Sequence, residues 1–172
     1  MAVFSRRAYS VGRFCREVVG VAKDIKLVPA ALGGLSPALR KRVPFSPNAI
    51  EPAFRERIML AVTGVNDCRY CRFIHTRIGL FVGLARLEAA GVLAGDFSHV
   101  PEEERPALEF ARRWAERNAE EDPAETANLV RQYGQPTADR IMMCCRLIRL
   151  GNLSGNTLDL LLFRMSGARI GA

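Results

Sequence analysis

The sequence predicts an all-α protein, a compact helical bundle with an N-terminal helical arm. Three observations carry this expectation. Apolar residues recur at helical spacing in one segment after another. No segment alternates apolar and polar residues over the length of a strand. Proline and glycine mark the breaks between the periodic stretches.

Composition restricts the class further. A chain of 172 residues suits one domain and can bury a substantial core. Apolar residues make up 49% of it, which argues against disorder. No run approaches the roughly 18 apolar residues of a membrane span. The net charge is +7, with the excess at the start. Arg6, Arg7, Arg13, Arg16, Lys23, Lys26, Arg40, Lys41 and Arg42 face only Glu17 and Asp24 there. Aromatic and basic residues are not interleaved, so no nucleic-acid partner is expected, and the basic residues read as a solvated face. Arg6 and Arg7 run into Ala-Tyr-Ser-Val-Gly-Arg, which breaks any secretory apolar core. The Arg-rich, acid-poor start has the composition of an organelle transit peptide, and a helix explains it equally well. The five cysteines are odd in number and the chain is not small, so a secreted disulfide framework is not expected. A reducing, cytoplasmic compartment fits better.

Residues 8–28 carry Val11, Phe14, Val18, Val21, Ala22 and Ile25 at helical spacing. A loop rich in proline and glycine follows, with a short helix expected near 36–42. Residues 1–45 therefore read as an N-terminal arm or outer helix, and 46–172 as the main helical domain. The next helix starts at Glu51-Pro52, where proline suits a first turn, and runs to about 65. Its stretch from Ile58 to Val65 has no charge on any side, the pattern of a buried helix. Asp67 is expected to cap a helix that begins at Cys68 and runs to about Ala90, with Gly91 as its stop. Pro101 and the acidic Glu102-Glu103-Glu104 are expected to open a helix to about 119. Further helices are expected over 123–133, from Thr137 through Leu150, and over about 153–165.

The helix after Cys68 carries the chemistry. Cys68, Cys71, His75, Ile78, Gly79 and Val82 share one face, with Arg69, Arg72 and Thr76 beside them. Phe73, Ile74, Leu80, Phe81 and Leu84 are expected to bury the rest. Cys68 and Cys71 stand at i and i+3, close enough to form a disulfide across one turn. His75 stands at i+4 from Cys71. The helix N-terminus, Arg69 and Arg72 are expected to favour a thiolate. A thiolate is the nucleophile, and the neighbouring cysteine can resolve what it forms. The helix dipole favours Cys68 as attacker, and the His75 spacing favours Cys71. Glu56 is a carboxylate on the stripe of Ala53, Met59, Leu60 and Thr63, so it needs a partner. If its helix packs on the next, Glu56, His75 and a thiol can form a proton relay. An ion pair with an arginine from another helix is the plainer role for Glu56.

Glu56, then Cys68-x-x-Cys71, then His75 resembles the pattern of the alkylhydroperoxidase D and carboxymuconolactone decarboxylase-like family. The likeness continues through Glu88-Ala89-Ala90-Gly91, Glu104 to Trp114, and Asn152-x-x-x-Asn156, covering 50–165. It implies an all-helical fold and a trimer or hexamer. It further implies reduction of small hydroperoxides by the cysteine pair, recharged by a dithiol such as a lipoyl-bearing protein. Cys71 would then be the peroxidatic residue, Cys68 the resolving one, and Glu56 and His75 the relay, with no cofactor and no metal. Tyr70 stands where peroxidases of the family have a second histidine, and residues 1–45 have no counterpart. The family's decarboxylases lack the cysteine pair, so decarboxylation is not expected.

Two other function classes fit the residues. Cys68, Cys71 and His75 are three ligands, one short of the four that zinc usually takes. A non-catalytic oligomeric protein is the other, with residues 1–28 as a basic arm on a membrane or, more simply, clasping a neighbouring subunit. Cys144, Cys145 and Trp114 read as core, Cys15 as a surface or interface thiol, and His99 as a loop residue without a role. Asn152 and Asn156 read as interhelix hydrogen-bond struts, and Gly79 and Gly83 as sites of close helix packing.

Overall fold

The computed structural model describes residues 11–27 and 50–166. These form seven α-helices and no strand: α1 (Val11–Lys23), α2 (Pro52–Asn66), α3 (Arg69–Phe81), α4 (Arg86–Ala94), α5 (Arg105–Glu116), α6 (Pro123–Tyr133) and α7 (Gln135–Met165). The short helix expected near 36–42 lies outside the described residues. Among those residues, no helix is long and apolar enough to cross a membrane.

Helix α2 is the centre of the bundle. It packs against α3, α4, α5 and α7, which explains why its stretch from Ile58 to Val65 carries no charge on any side. Ile58, Leu60, Ala61 and Val62 are fully buried within it. The Glu51 side chain accepts the Phe54 N–H at its start, and Pro52 occupies the first turn. Gly64 lets α2 approach α4 closely. A Cβ there would stand 2.1 Å from the Leu93 carbonyl oxygen. Arg57 ties two neighbours to α2, pairing with Glu88 of α4 at 2.5 Å and with Glu104, just before α5, at 2.9 Å. Helix α1 lies on α7, where Glu17 and Arg149 form a buried ion pair at 3.2 Å.

Five boundaries differ from expectation. Asp67 is the left-handed C-cap of α2 (φ 52°), and Cys68 takes the N-cap of α3. The expected helix from Cys68 to Ala90 is two helices. The chain turns at Gly83 (φ 109°), the Leu84 N–H bonds the Gly79 carbonyl, and the Leu84 side chain folds back onto Gly79. Glu88 and Gly91 are therefore inside α4, which ends at Gly95 (φ 87°). Residues 101–104 form turns ahead of α5. The break expected between Leu150 and Leu153 is absent, and α7 runs unbroken for 31 residues.

Burial on α3 also differs. Phe73, Ile74 and Phe81 are exposed, at 61%, 49% and 79%, so the expected stripe is buried only around Cys71 and Gly79. Trp114, Cys144 and Cys145 lie in the core, while Cys15 and His99 are exposed.

Candidate functional site

The site forms where α2 turns into α3 and both meet α7. Only Asp67 and Cys68 separate α2 from α3, so the pair of cysteines sits at an N-terminus directly beside the central helix. The Cys68 sulfur caps α3, accepting the Cys71 N–H at 3.4 Å. The two sulfurs are 3.0 Å apart, with one thiol donating to the other. Cys68 is fully buried, and Cys71 retains 8% exposure.

Gly155 of α7 explains how the Cys68 sulfur fits against that helix. A Cβ on Gly151 would lie 3.8 Å from the Cys71 sulfur. One on Gly155 would lie 2.6 Å from the Cys68 sulfur and 3.3 Å from the Tyr70 ring. Glycine inside a helix costs roughly 0.5–1 kcal/mol. At Gly155 it leaves the space that Cys68 and Tyr70 occupy instead of ending the helix. The Tyr70 hydroxyl donates to Asp159 of α7 at 2.7 Å, which holds the tyrosine beside Cys68.

Hydrogen bonding polarises the pair. The hydrogen bond from Cys71 lowers the Cys68 thiol to about 7, aided by the backbone N–H groups of Cys71 and Tyr70 and opposed by burial. The same hydrogen bond, and then burial, raise the Cys71 thiol. Arg69 and Arg72, expected to favour the thiolate, pair instead with Asp159 and Asp67, both at 2.7 Å or less. Burial pushes Cys144 up to about 12 and raises Cys145 as well, leaving both as inert thiols.

Glu56 and His75 meet, with Oε2 of the carboxylate 2.8 Å from Nδ1 of the imidazole. The other oxygen, Oε1, accepts from Nε and Nη2 of Arg55 at 3.0 and 2.8 Å. Glu56 thus has both kinds of partner, although the arginine comes from its own helix. Arg55 and Glu56 are 1% and 0% exposed, so the charge of one is compensated by the other away from water. Among the described residues, no hydrogen bond joins His75 to either sulfur. His75 lies one turn beyond Cys71, and its Nδ1 bond to Glu56 leaves Nε2 as the nitrogen open to a reacting group.

Asn152 was legible only as a strut, and it is one. Its Nδ2 donates to Thr63 Oγ1 at 3.2 Å, its Oδ1 accepts from Asn66 at 3.1 Å, and Asn156 donates to the Asn66 carbonyl at 2.9 Å. Its neighbour Gly151 lies against the Cys71 sulfur, a contact that sequence position did not signal. Arg55 gave no signal either, because a lone arginine next to a glutamate is ordinary on a helix. Among the described residues, no group of three or more His, Cys, Asp or Glu side chains is placed to hold a metal ion. Comparison with protein-family models, curated proteins and solved structures finds no match for this chain.

The pH response of the pair follows from its hydrogen bonds. Thiolate absorbance in the ultraviolet is expected to rise with a midpoint of about 7 in the reduced protein. Cys71→Ala removes the donating thiol and is expected to move the Cys68 midpoint toward the ordinary value of about 8.5. The sign for stability follows from a folded value below the unfolded one. The contribution is complete above the unfolded value and is lost as pH falls through about 7. A Cys71→Ala protein that titrates at the wild-type midpoint would remove Cys71 as the cause.

Proposed function

We propose that the chain is a thiol peroxidase that reduces small hydroperoxides through Cys68 and Cys71. The observation that carries this reading is the sulfur pair, 3.0 Å apart at the start of α3, with one thiol near neutrality. Cys71 is the attacking residue because it alone of the two retains exposure to an incoming peroxide. Its sulfur takes the distal oxygen of the hydroperoxide and the O–O bond breaks. The Cys71 thiol proton passes to the Cys68 thiolate across their hydrogen bond. The departing alkoxide takes a proton delivered through His75 Nε2, with Glu56 holding the ring, and leaves as an alcohol. The Cys68 thiol then attacks the Cys71 sulfenic acid, forming the disulfide and releasing water. A dithiol of the lipoyl kind exchanges with this disulfide, becoming oxidised and restoring both thiols. Two electrons enter from the dithiol and two leave to the peroxide in each cycle.

The test is hydroperoxide consumption with a dithiol reductant for wild type, Cys68→Ser and Cys71→Ser. Wild-type turnover that is lost in both variants, with a Cys68–Cys71 disulfide found by mass spectrometry after peroxide treatment, is the expected result. Peroxide consumption that proceeds with both residues as free thiols would end the proposal. Assembly as a trimer or hexamer belongs to the same reading, and light scattering of the full chain measures it. A monomer at working concentration would remove that part.

A further inference from the structure

Among the described residues Arg55 hydrogen-bonds Glu56 and nothing else, yet it is built into the site. It lies on α2, which four helices surround, and at 1% exposure its guanidinium does not reach water. Its Nε and Nη2 both turn to one oxygen of Glu56, Oε1, at 3.0 and 2.8 Å. That leaves Oε2 to face α3, where it meets His75 Nδ1 at 2.8 Å. Glu56 is itself fully buried, and Gly79, one turn beyond His75, lies against it. A Cβ added there would stand 3.8 Å from Glu56 Cβ.

A carboxylate sealed from water stays ionised only beside a compensating charge, and Arg55 is that charge. An ionised Glu56 has no proton to give. Oε2 can then only accept, and His75 must donate from Nδ1. A neutral imidazole with its proton on Nδ1 has a bare Nε2. Without Arg55, the Glu56–His75 couple would hold one proton more. Placed on Oε2, that proton would point at Nδ1 and move the ring's own proton to Nε2. Placed on the ring, it would make an imidazolium. Nε2 carries a proton in both cases and is no longer a base. From α7, Cys144 feels the charges of Arg55 and Glu56. Burial pushes its thiol up to about 12, so it adds no charge to the couple near neutrality.

We infer that Arg55 is a positioning residue for His75: it keeps Glu56 ionised, and so holds the imidazole with its proton on Nδ1 and with Nε2 free to take one from a reacting group. The inference rests on the Glu56–His75 relay of the proposed function but not on peroxide as the substrate. Arg55 acts through Glu56 and touches no reacting atom.

The test is nitrogen-15 NMR of the His75 ring in the full chain. The chain has two histidines, and His99 is exposed, so His99→Gln leaves His75 as the single imidazole. Spectra are read at pH 8, above the ordinary histidine value of about 6.5. The His99→Gln protein is expected to show a protonated Nδ1 and a bare Nε2, and Glu56→Gln added to it marks the position of a protonated Nε2. Arg55→Met is expected to move the Nε2 signal more than half of the way to that position. Arg55→Lys, which restores a charge, is expected to bring it back toward the bare position. An arginine that only supported the fold would lower the stability of Arg55→Met and leave both nitrogen signals in place, and that result overturns the inference. A lysine protein with the methionine pattern overturns charge as the cause. Should Arg55→Met fail to fold, Arg55→Gln, which keeps an NH₂ for Oε1 without the charge, takes its place with the same two outcomes. None of these readings depends on turnover, so failure of the peroxidase assay and failure of this inference remain distinct.

Discussion

Glu56→Ala is expected to lower the stability of the protein by about 3–5 kcal/mol, the cost of stranding one partner of a buried ion pair. The guanidinium of Arg55 is the reason. It is 1% exposed, and Glu56 Oε1 accepts from both its Nε and its Nη2. Among the described residues it has no other ion-pair partner. Alanine removes the carboxylate but leaves Arg55 charged and sealed from water. Glu56→Gln separates this cost from the chemistry. Glutamine keeps an oxygen for Arg55 but turns an NH₂ toward His75 Nδ1, so the imidazole must accept there and carry its proton on Nε2. The glutamine protein is expected to lose less stability than the alanine protein, while both lose the turnover that the proposed function expects. Denaturant unfolding measures the first effect, and peroxide turnover the second. A Glu56→Ala midpoint equal to wild type, with an equal slope, would mean that the pair contributes nothing to the fold.

Gly64→Ala is the second substitution with a large expected effect. The added Cβ would stand 2.1 Å from the Leu93 carbonyl oxygen and 2.9 Å from its carbonyl carbon. These are backbone atoms within α4, so no rotamer change relieves the contact, and α2 and α4 must move apart. Alanine returns up to about 1 kcal/mol of helix propensity. Overpacking of a tight contact costs typically 1–3 kcal/mol, occasionally more. A net loss of about 1–2 kcal/mol is therefore expected, with a lower thermal midpoint. Because α2 also carries Glu56 and leads directly into Cys68, the Cys68 titration is expected to shift as well. A thermal midpoint at or above wild type would show that the two helices have room to spare.

Much of the bundle was legible from local pattern. The charge-free run from Ile58 to Val65 identified the central helix, because a stretch packed on all sides leaves no exposed face, and the charges earlier in the helix are paired. The Pro52 start and the Gly134 end were readable as punctuation, since the conformations of these residues are set by their own covalent geometry. Glycine inside the later helices misled for the same reason that it helped elsewhere. A breaker and a spacer are the same residue in sequence. Gly83 ends a helix with a positive φ, whereas Gly155 lies within one and makes room for the Cys68 sulfur. Only the neighbouring surface distinguishes these roles.

The sequence by itself determined the helical class, the placing of Cys68 and Cys71 one turn apart, and the presence of an inward carboxylate at Glu56. These depend on periodicity along a single helix, which a chain carries in its residue spacing. The tertiary structure decided the rest: that Glu56 is shared between Arg55 and His75, that Cys68 holds the lowered thiol while Cys71 holds the opening, and that Gly155 of α7 makes room for the Cys68 sulfur. Each of these joins residues through space, where burial strengthens the hydrogen bonds that form and penalises those that do not. Spacing along the chain carries no record of that environment.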